Sequence, residues 1–190
     1  QGNISIFGMN YATNRRRILE SIGVQLQETN LYRKYTVEET LRLFASFYHQ
    51  RHDLEELMEL LSIKNLRSKR IEQLSGGQKQ TVYIGCSLVN KPKILFFDEP
   101  TANLDPGARR FIWQIIQTAK QQDRGVLLTT HYLDEAQRLA DRIMIMDQGK
   151  VVALGTLQEL CSAHHNLSSL EDVFFHLTGR DFHAKCDQLN

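Results

Sequence analysis

Residues 74–105 decide the fold: they read Leu-Ser-Gly-Gly-Gln at 74–78, Ile-Leu-Phe-Phe-Asp-Glu at 94–99 and Leu-Asp at 104–105. Four consecutive apolar residues followed by Asp98 and Glu99 predict a strand that is buried on both faces of a parallel sheet. Ligands of open α/β sheets bind at the carboxyl edge of such strands. One acid at that edge suits Mg²⁺, and a second suits the orientation and deprotonation of a nucleophile. The pair is therefore predicted to serve metal-assisted phosphate chemistry.

A glycine-rich turn, Ser75-Gly76-Gly77, precedes a predicted helix over about 78–89. The serine can cap this helix, while the backbone N–H groups of the glycines point at an anion that the helix dipole also favours. Such a turn by itself is more often an ordinary capped turn. The turn indicates a phosphate-binding site only in combination with the motifs that follow it.

On the upstream side the chain is mainly helical. A capping box at 36–39 opens one helix, and a second helix covers 53–61. Residues 64–73 are predicted to form a loop with at most one helical turn. Nearer the start we expect a strand at 4–7, a helix over 14–20 capped by Asn14, and a strand at 22–26.

On the downstream side strands and helices alternate. The expected order is a strand at 94–97, a helix at 106–121, a strand at 126–130, a helix at 133–140, a strand at 142–146 and a hairpin strand at 151–154. Parallel strands joined by right-handed crossovers end at one edge, so Asp98, Glu99 and His131 are expected at the same edge of the sheet. A last helix is expected from a capping box at Ser168 and Glu171 to Gly179.

The composition narrows the classes of function. A net charge of +1 provides no electrostatic footprint for nucleic acid. No stretch has the length of a membrane helix, and nothing resembles a signal peptide. The three widely spaced cysteines indicate a reducing compartment without a disulfide framework or zinc site.

The order of these motifs, from LSGGQ through the apolar run with Asp98-Glu99-Pro100 to Leu104-Asp105 and Thr130-His131, resembles the ATP-binding cassette (ABC) ATPases. The resemblance implies an α/β fold of the P-loop NTPase (RecA-like) type, with a mostly parallel sheet and a helical subdomain. It implies one partial nucleotide-binding domain over 1–190, divided into a helical subdomain (31–73), a core (74–163) and a C-terminal helix and tail (164–190).

The resemblance also implies roles for single residues around ATP and Mg²⁺. Catalysis would involve Glu99 as the base, His131 as the switch histidine and Gln27 of the Q-loop. Asp98 and Gln27 would hold Mg²⁺. The nucleotide-binding positions would be those of the signature motif and the D-loop, namely Ser75, Gly76, Gly77, Gln78 and Asp105. Simpler interpretations remain open: Gln27 as a surface residue, His131 as a structural histidine, and Asp105 as a helix cap that could also serve the site.

The family's P-loop, G-x-x-x-x-G-K-[ST], occurs nowhere in residues 1–190. In the family it precedes the segment that corresponds to 2–7, so the chain is expected to begin just after the nucleotide cradle, as an N-terminally truncated domain. Without that nest of N–H groups and its lysine, little remains to hold the β- and γ-phosphates. The chain by itself is expected to be inactive.

Two functions follow from the resemblance. In the first, the intact subunit hydrolyses ATP, pairs with a second ATP-binding subunit as a homo- or heterodimer, and drives a membrane permease from the cytoplasmic face of the membrane. In the second, the chain is a non-catalytic remnant or interaction module. A soluble ABC protein of DNA repair or translation is the alternative within the family, but its coiled-coil insertion or second cassette is not visible. The tail at 169–174 and 177–180 resembles ATPase subunits of ABC-2-type exporters, such as the daunorubicin-resistance class.

Overall fold

The computed structural model describes residues 2–27, 30–164 and 167–179. The chain forms two compact units, 1–130 and 131–190. Residue Arg180 and the rest of the predicted tail lie outside the described residues.

The first unit contains a three-stranded parallel sheet in the order β3-β4-β5. Its helices α4 and α5 pack against β3 and β5. The elements of this unit are β1 (Ser5–Ile6), β2 (Met9–Asn10), α1 (Tyr11–Leu19), β3 (Ile22–Gln25), α2 (Val37–Ala45), α3 (Leu54–Leu60), α4 (Gly76–Leu88), β4 (Ile94–Asp98), α5 (Pro106–Gln121) and β5 (Gly125–Thr129). Register pairs Gln25 with Phe97 and Asp98 with Thr129.

The central strand β4 is not buried on both faces, so that prediction is wrong. Leu95 and Phe97 are buried, whereas Ile94 and Phe96 alternate with them and are only half-buried. On the neighbouring strands Val24 is 48% and Leu127 is 58% exposed. The described helices that pack on this sheet therefore cover only one of its faces well. The other face keeps exposed apolar surface. We call it the open sheet face, and it is formed by Val24, Ile94, Phe96 and Leu127.

The start of the chain differs from the prediction in two respects. A short hairpin, β1 with β2, replaces the single strand, and its turn places Phe7 and Gly8 at positive φ. Helix α1 begins earlier than expected because Asn10, not Asn14, accepts the backbone N–H of Ala12 and caps it. Asn14 lies inside the helix with non-helical angles.

Helices α2 and α3 begin where the sequence pattern predicts. Thr36 and Glu39 form the predicted capping box of α2, with both reciprocal hydrogen bonds present. Asp53 caps α3 by accepting two backbone N–H groups. The segment expected as a loop contains two short 3₁₀ turns, at Lys64–Leu66 and Ile71–Gln73. The proposed boundaries of this subdomain, 31–73, stay a prediction.

The second unit contains an antiparallel hairpin rather than a further parallel strand of the β3-β4-β5 sheet. Its elements are α6 (Leu133–Leu139), β6 (Ile143–Asp147), β7 (Lys150–Gly155), α7 (Leu157–Ala163) and α8 (Leu170–Thr178). Strands β6 and β7 pair around the predicted turn and form a separate two-stranded sheet. The expected βαβαβ sheet is therefore correct for its first two strands only.

The core of the second unit joins the hairpin to α7 and α8 through Ile143, Ile145, Leu160, Leu170 and Val173. Helix α7 was not predicted, although Thr156 and Glu159 form its capping box. The cap of α8 is Ser169 with Asp172, one residue later than the expected Ser168 and Glu171. Gly179 ends α8 in the left-handed conformation, as predicted.

Candidate functional site

The acidic pair lies where β4 ends. Asp98 and Glu99 are both half-buried, so neither is sealed inside the core. Glu99 has a φ of 46°, a left-handed conformation that a residue with a Cβ rarely adopts. Its backbone N–H donates to the Thr129 carbonyl over 3.1 Å and to the Thr129 hydroxyl over 3.2 Å. The end of β5 therefore holds Glu99 in its unusual turn.

Thr129 contacts the other acid as well. Its hydroxyl donates a hydrogen bond to Oδ1 of Asp98, the residue with which it is in register. Sequence analysis did not single out Thr129. The available signal was its place at the end of the strand next to the acidic pair, where parallel register brings side chains together.

Gln27 reaches the acidic pair from β3. Strand β3 ends at Gln25, and two residues later the exposed Gln27 side chain donates from Nε2 to Oε2 of Glu99 over 3.3 Å. These two residues are 72 positions apart in the chain. The tertiary structure therefore brings together Gln27, Asp98, Glu99 and Thr129 at the carboxyl edge of one parallel sheet.

The serine-glycine turn caps a 13-residue helix, α4, at the protein surface. The Ser75 hydroxyl accepts the backbone N–H of Gln78 over 3.3 Å, and the Gln78 side chain accepts the N–H of Ser75 over 3.1 Å. Ser75 and Gly76 are exposed. Because the N–H groups of a first helical turn lack partners within the helix, this end of α4 has the electrostatic character of an anion site.

Gly77 and Asp105 link this turn to α5. A Cβ added to Gly77 would lie 2.7 Å from the Cβ of Ala108, so the first turns of α4 and α5 touch there. Asp105 caps α5 by accepting the N–H groups of Gly107 and Ala108 through Oδ1. The capping interpretation of Asp105 is therefore confirmed, and its role at a dimer interface stays a prediction.

His131 is the first residue of the second unit. It follows Thr129 by two positions, and its ring contacts that of Tyr132 at a centroid distance of 4.1 Å. The expected position of His131 beside the acidic pair is supported only by its nearness to Thr129 in the sequence. This position and its role as a switch residue stay predictions.

The donor set at the sheet edge fits a magnesium ion. Among the residues that the structure describes, no group of three or more histidine, cysteine or acidic side chains could hold a metal ion. Mg²⁺ does not require such a cage, since it usually takes one or two carboxylates together with substrate phosphates and waters. Asp98, half-buried at the end of β4, supplies a carboxylate of this kind.

One histidine lies away from this edge. His52 is half-buried beside a cavity of about 380 Å³ that residues of α2 and α3 help to line. Burial, followed by the nearby positive charges of Arg124 and Lys91, lowers the pKa of His52 to about 4. The Arg124 guanidinium lies 3.4 Å from its Nε2. The neutral ring is thus part of the packing in this unit.

Comparison with known proteins agrees with this geometry. The family model for the ABC transporter matches residues 1–102. The linearmycin resistance ATP-binding protein LnrL of Bacillus subtilis is 34% identical over 166 residues, which are 85% of this chain and 53% of that protein. The Nod factor export ATP-binding protein I of Rhizobium sp. strain N33 is 34% identical over 175 residues, 90% of this chain and 58% of that protein. The chain thus spans between half and three fifths of these relatives' length.

Solved structures define the fold class. An ATP-binding subunit of an ABC transporter superposes with a TM-score of 0.81 at 29% identity, covering 93% of this chain and 76% of that one. The dimeric bacterial ABC transporter cassette MJ0796 gives 0.72 at 27% identity, covering 83% and 74%. The fold is therefore that of the P-loop NTPase class, as predicted. Since the family model covers more than half of the residues, the chain belongs to the ABC transporter family.

No helix among the described residues has both the length and the apolar character needed to cross a lipid bilayer.

Proposed function

We propose that this chain provides the hydrolytic half of the ATP-binding subunit of an ABC exporter. The observation that carries the proposal is the contact between Gln27 and Glu99, 3.3 Å between Nε2 and Oε2, beside Asp98 at the edge of the parallel sheet. A carboxylate held by an amide, next to a second carboxylate, suits phosphoryl transfer to water, in which one group orients the attacking water and another holds Mg²⁺.

Glu99 would accept a proton from the water that attacks the γ-phosphate of ATP. Its backbone turn, fixed by two hydrogen bonds to Thr129, keeps the carboxylate in one orientation before substrate arrives. Asp98, with the Gln27 side-chain oxygen, would hold Mg²⁺. When bound, the ion would neutralise charge that develops on the phosphate oxygens.

The N-terminal turn of α4 would bind phosphate. Ser75 and Gly76 are exposed, and a Cβ on Gly76 would meet no atom within 4 Å, so an anion can approach this backbone closely. In a dimer of intact subunits each P-loop would face the Ser-Gly-Gly turn of the other copy, so the phosphate at this turn would be presented by the P-loop of a second ATP-binding subunit. The dimeric form of the MJ0796 cassette supports such a pairing. His131 and Asp105 would complete the nucleotide contacts.

The exporter assignment draws on the functions for which the two relatives are named, linearmycin resistance and Nod factor export. In this proposal the subunit works at the cytoplasmic face of the membrane, where closure of the dimer drives a permease.

Binding and hydrolysis are tested with two polypeptides, residues 1–190 alone and the same residues fused behind a G-x-x-x-x-G-K-[ST] segment of an ABC relative. Isothermal titration with Mg-ATP is expected to show no micromolar binding to the first polypeptide and clear binding to the second. In the fused polypeptide, Glu99→Gln should retain ATP binding and lower phosphate release by about 100-fold or more, the contribution typical of a general base.

Glu171→Gln, a matched change of an exposed acid in α8, is the control and should leave hydrolysis unchanged. Undiminished phosphate release from Glu99→Gln would remove Glu99 from the mechanism. A fused polypeptide that neither binds nor hydrolyses ATP would favour the alternative, a non-catalytic module.

A further inference from the structure

One hydroxyl at the end of β5 contacts both members of the acidic pair. Thr129 Oγ1 donates to Oδ1 of Asp98 and accepts the backbone N–H of Glu99 over 3.2 Å. A threonine hydroxyl has a single proton and two lone pairs, so it can make these two hydrogen bonds at the same time.

The backbone of Glu99 depends on this contact. With a φ of 46° the residue is in the left-handed region, which is disfavoured for any residue that has a Cβ. Conformations of this kind persist only where their surroundings over-determine them. Here both acceptors come from Thr129, the carbonyl at 3.1 Å and the hydroxyl at 3.2 Å. Removal of the hydroxyl would remove one of these two acceptors of the Glu99 N–H.

We propose that Thr129 is a positioning residue for hydrolysis, acting through Glu99 and Asp98 rather than on the substrate. This inference rests on the function proposed above. The hydroxyl orients the Asp98 carboxylate toward its ligand and fixes the turn that aims Glu99 at the attacking water. A misplacement of about 1 Å can cost two orders of magnitude in rate, so such a contact affects the chemical step more than substrate binding.

The test uses Thr129→Val, which keeps the β-branched shape that suits a strand but removes the hydroxyl. Thr129→Ser restores the hydroxyl on a smaller side chain. Thr118→Val is the matched control, because the Thr118 hydroxyl donates only to a backbone carbonyl, that of Gln114, within α5.

Two readouts are measured. In residues 1–190 without nucleotide, hydrogen exchange by NMR should show the Glu99 amide of Thr129→Val exchanging about threefold faster or more, as expected for the loss of one of two acceptors. In the P-loop-bearing fusion, kcat should fall about tenfold while KM for ATP stays within about twofold. Thr129→Ser should recover both values, and Thr118→Val should change neither.

The outcomes separate this inference from the proposed function. Hydrolysis by the parent fusion together with an unchanged kcat and unchanged Glu99 exchange in Thr129→Val would overturn the role of Thr129 and leave the proposed function in place. An equal loss in Thr129→Val and Thr129→Ser would assign the effect to strand shape and would also overturn it. A parent fusion without hydrolysis would overturn the proposed function, and the inference with it.

Discussion

The two glycines of the Ser-Gly-Gly turn are predicted to respond in opposite ways to alanine. At Gly77 a new Cβ would lie 2.7 Å from the Ala108 Cβ, whereas ordinary carbon–carbon contacts are about 3.5–4.0 Å. The contacted atom is fixed to the backbone of α5, so relief of roughly 1 Å requires movement of a helix. At Gly76 the same methyl group meets no atom within 4 Å.

The free energies can be estimated from these contacts. Overpacking of this kind costs about 1–3 kcal/mol. Alanine in place of glycine in a helix returns up to about 1 kcal/mol. Gly77→Ala should therefore lower the free energy of unfolding by about 1 kcal/mol, and Gly76→Ala should raise it by about 0.5 kcal/mol. The two variants should differ by roughly 1.5 kcal/mol.

Urea unfolding followed by tryptophan fluorescence measures this difference. The chain has one tryptophan, Trp113, and it is 8% exposed on α5, the helix that Gly77 contacts. With a urea dependence of about 2 kcal/mol per M, the midpoints should be separated by about 0.7 M. Equal midpoints, or a Gly77→Ala variant more stable than Gly76→Ala, would refute the packing argument.

The same pair separates packing from ligand approach. In the P-loop-bearing fusion Gly76→Ala should lose hydrolysis although it folds at least as stably as the parent, because its methyl group occupies the open space in front of the helix terminus. Parent-like hydrolysis in Gly76→Ala would mean that phosphate does not approach this backbone.

Three further predictions follow from other contacts. His52 has a pKa of about 4 in the folded protein, below its ordinary 6.5, so the unfolded chain binds the proton first and stability should fall as the pH drops from 6.5 toward 4. Urea titrations at several pH values should show this slope flattened in His52→Gln and retained in His49→Gln, a change of an exposed histidine. On the open sheet face, Val24 and Leu127 can be replaced by threonine in residues 1–190. The fluorescence of a bound hydrophobic dye should fall by about half, and the urea midpoint measured by Trp113 fluorescence should change little. Unchanged dye binding would mean that the dye does not bind to this face. Asp105→Ala should cost about 1 kcal/mol by loss of the α5 cap, whereas Asp105→Asn should keep the stability. Loss of hydrolysis in the asparagine variant, which keeps the cap, would indicate a role for the charge beyond capping.

Local features of the structure could be read from the sequence. The capping box at Thr36, the caps at Ser75 and Asp105 and the helix end at Gly179 depend on residues three or fewer positions apart or on a single conformation. The apolar run ending in Asp98 and Glu99 likewise placed both acids at a strand end. Even here neighbouring candidates compete, and Asn10 rather than Asn14 caps α1.

Relations between distant residues were decided by the tertiary structure. The contact of Gln27 with Glu99 spans 72 positions in the chain, and that of Thr129 with Asp98 spans 31. Both contacts depend on the register of parallel strands, which no local sequence pattern encodes. The half-open face of β4 was not foreseen either, since an apolar run does not state which helices cover it. Sequence thus determined the chemical groups and the ends of the elements that carry them, while packing and register determined which groups meet, because those depend on free-energy differences summed over the whole fold.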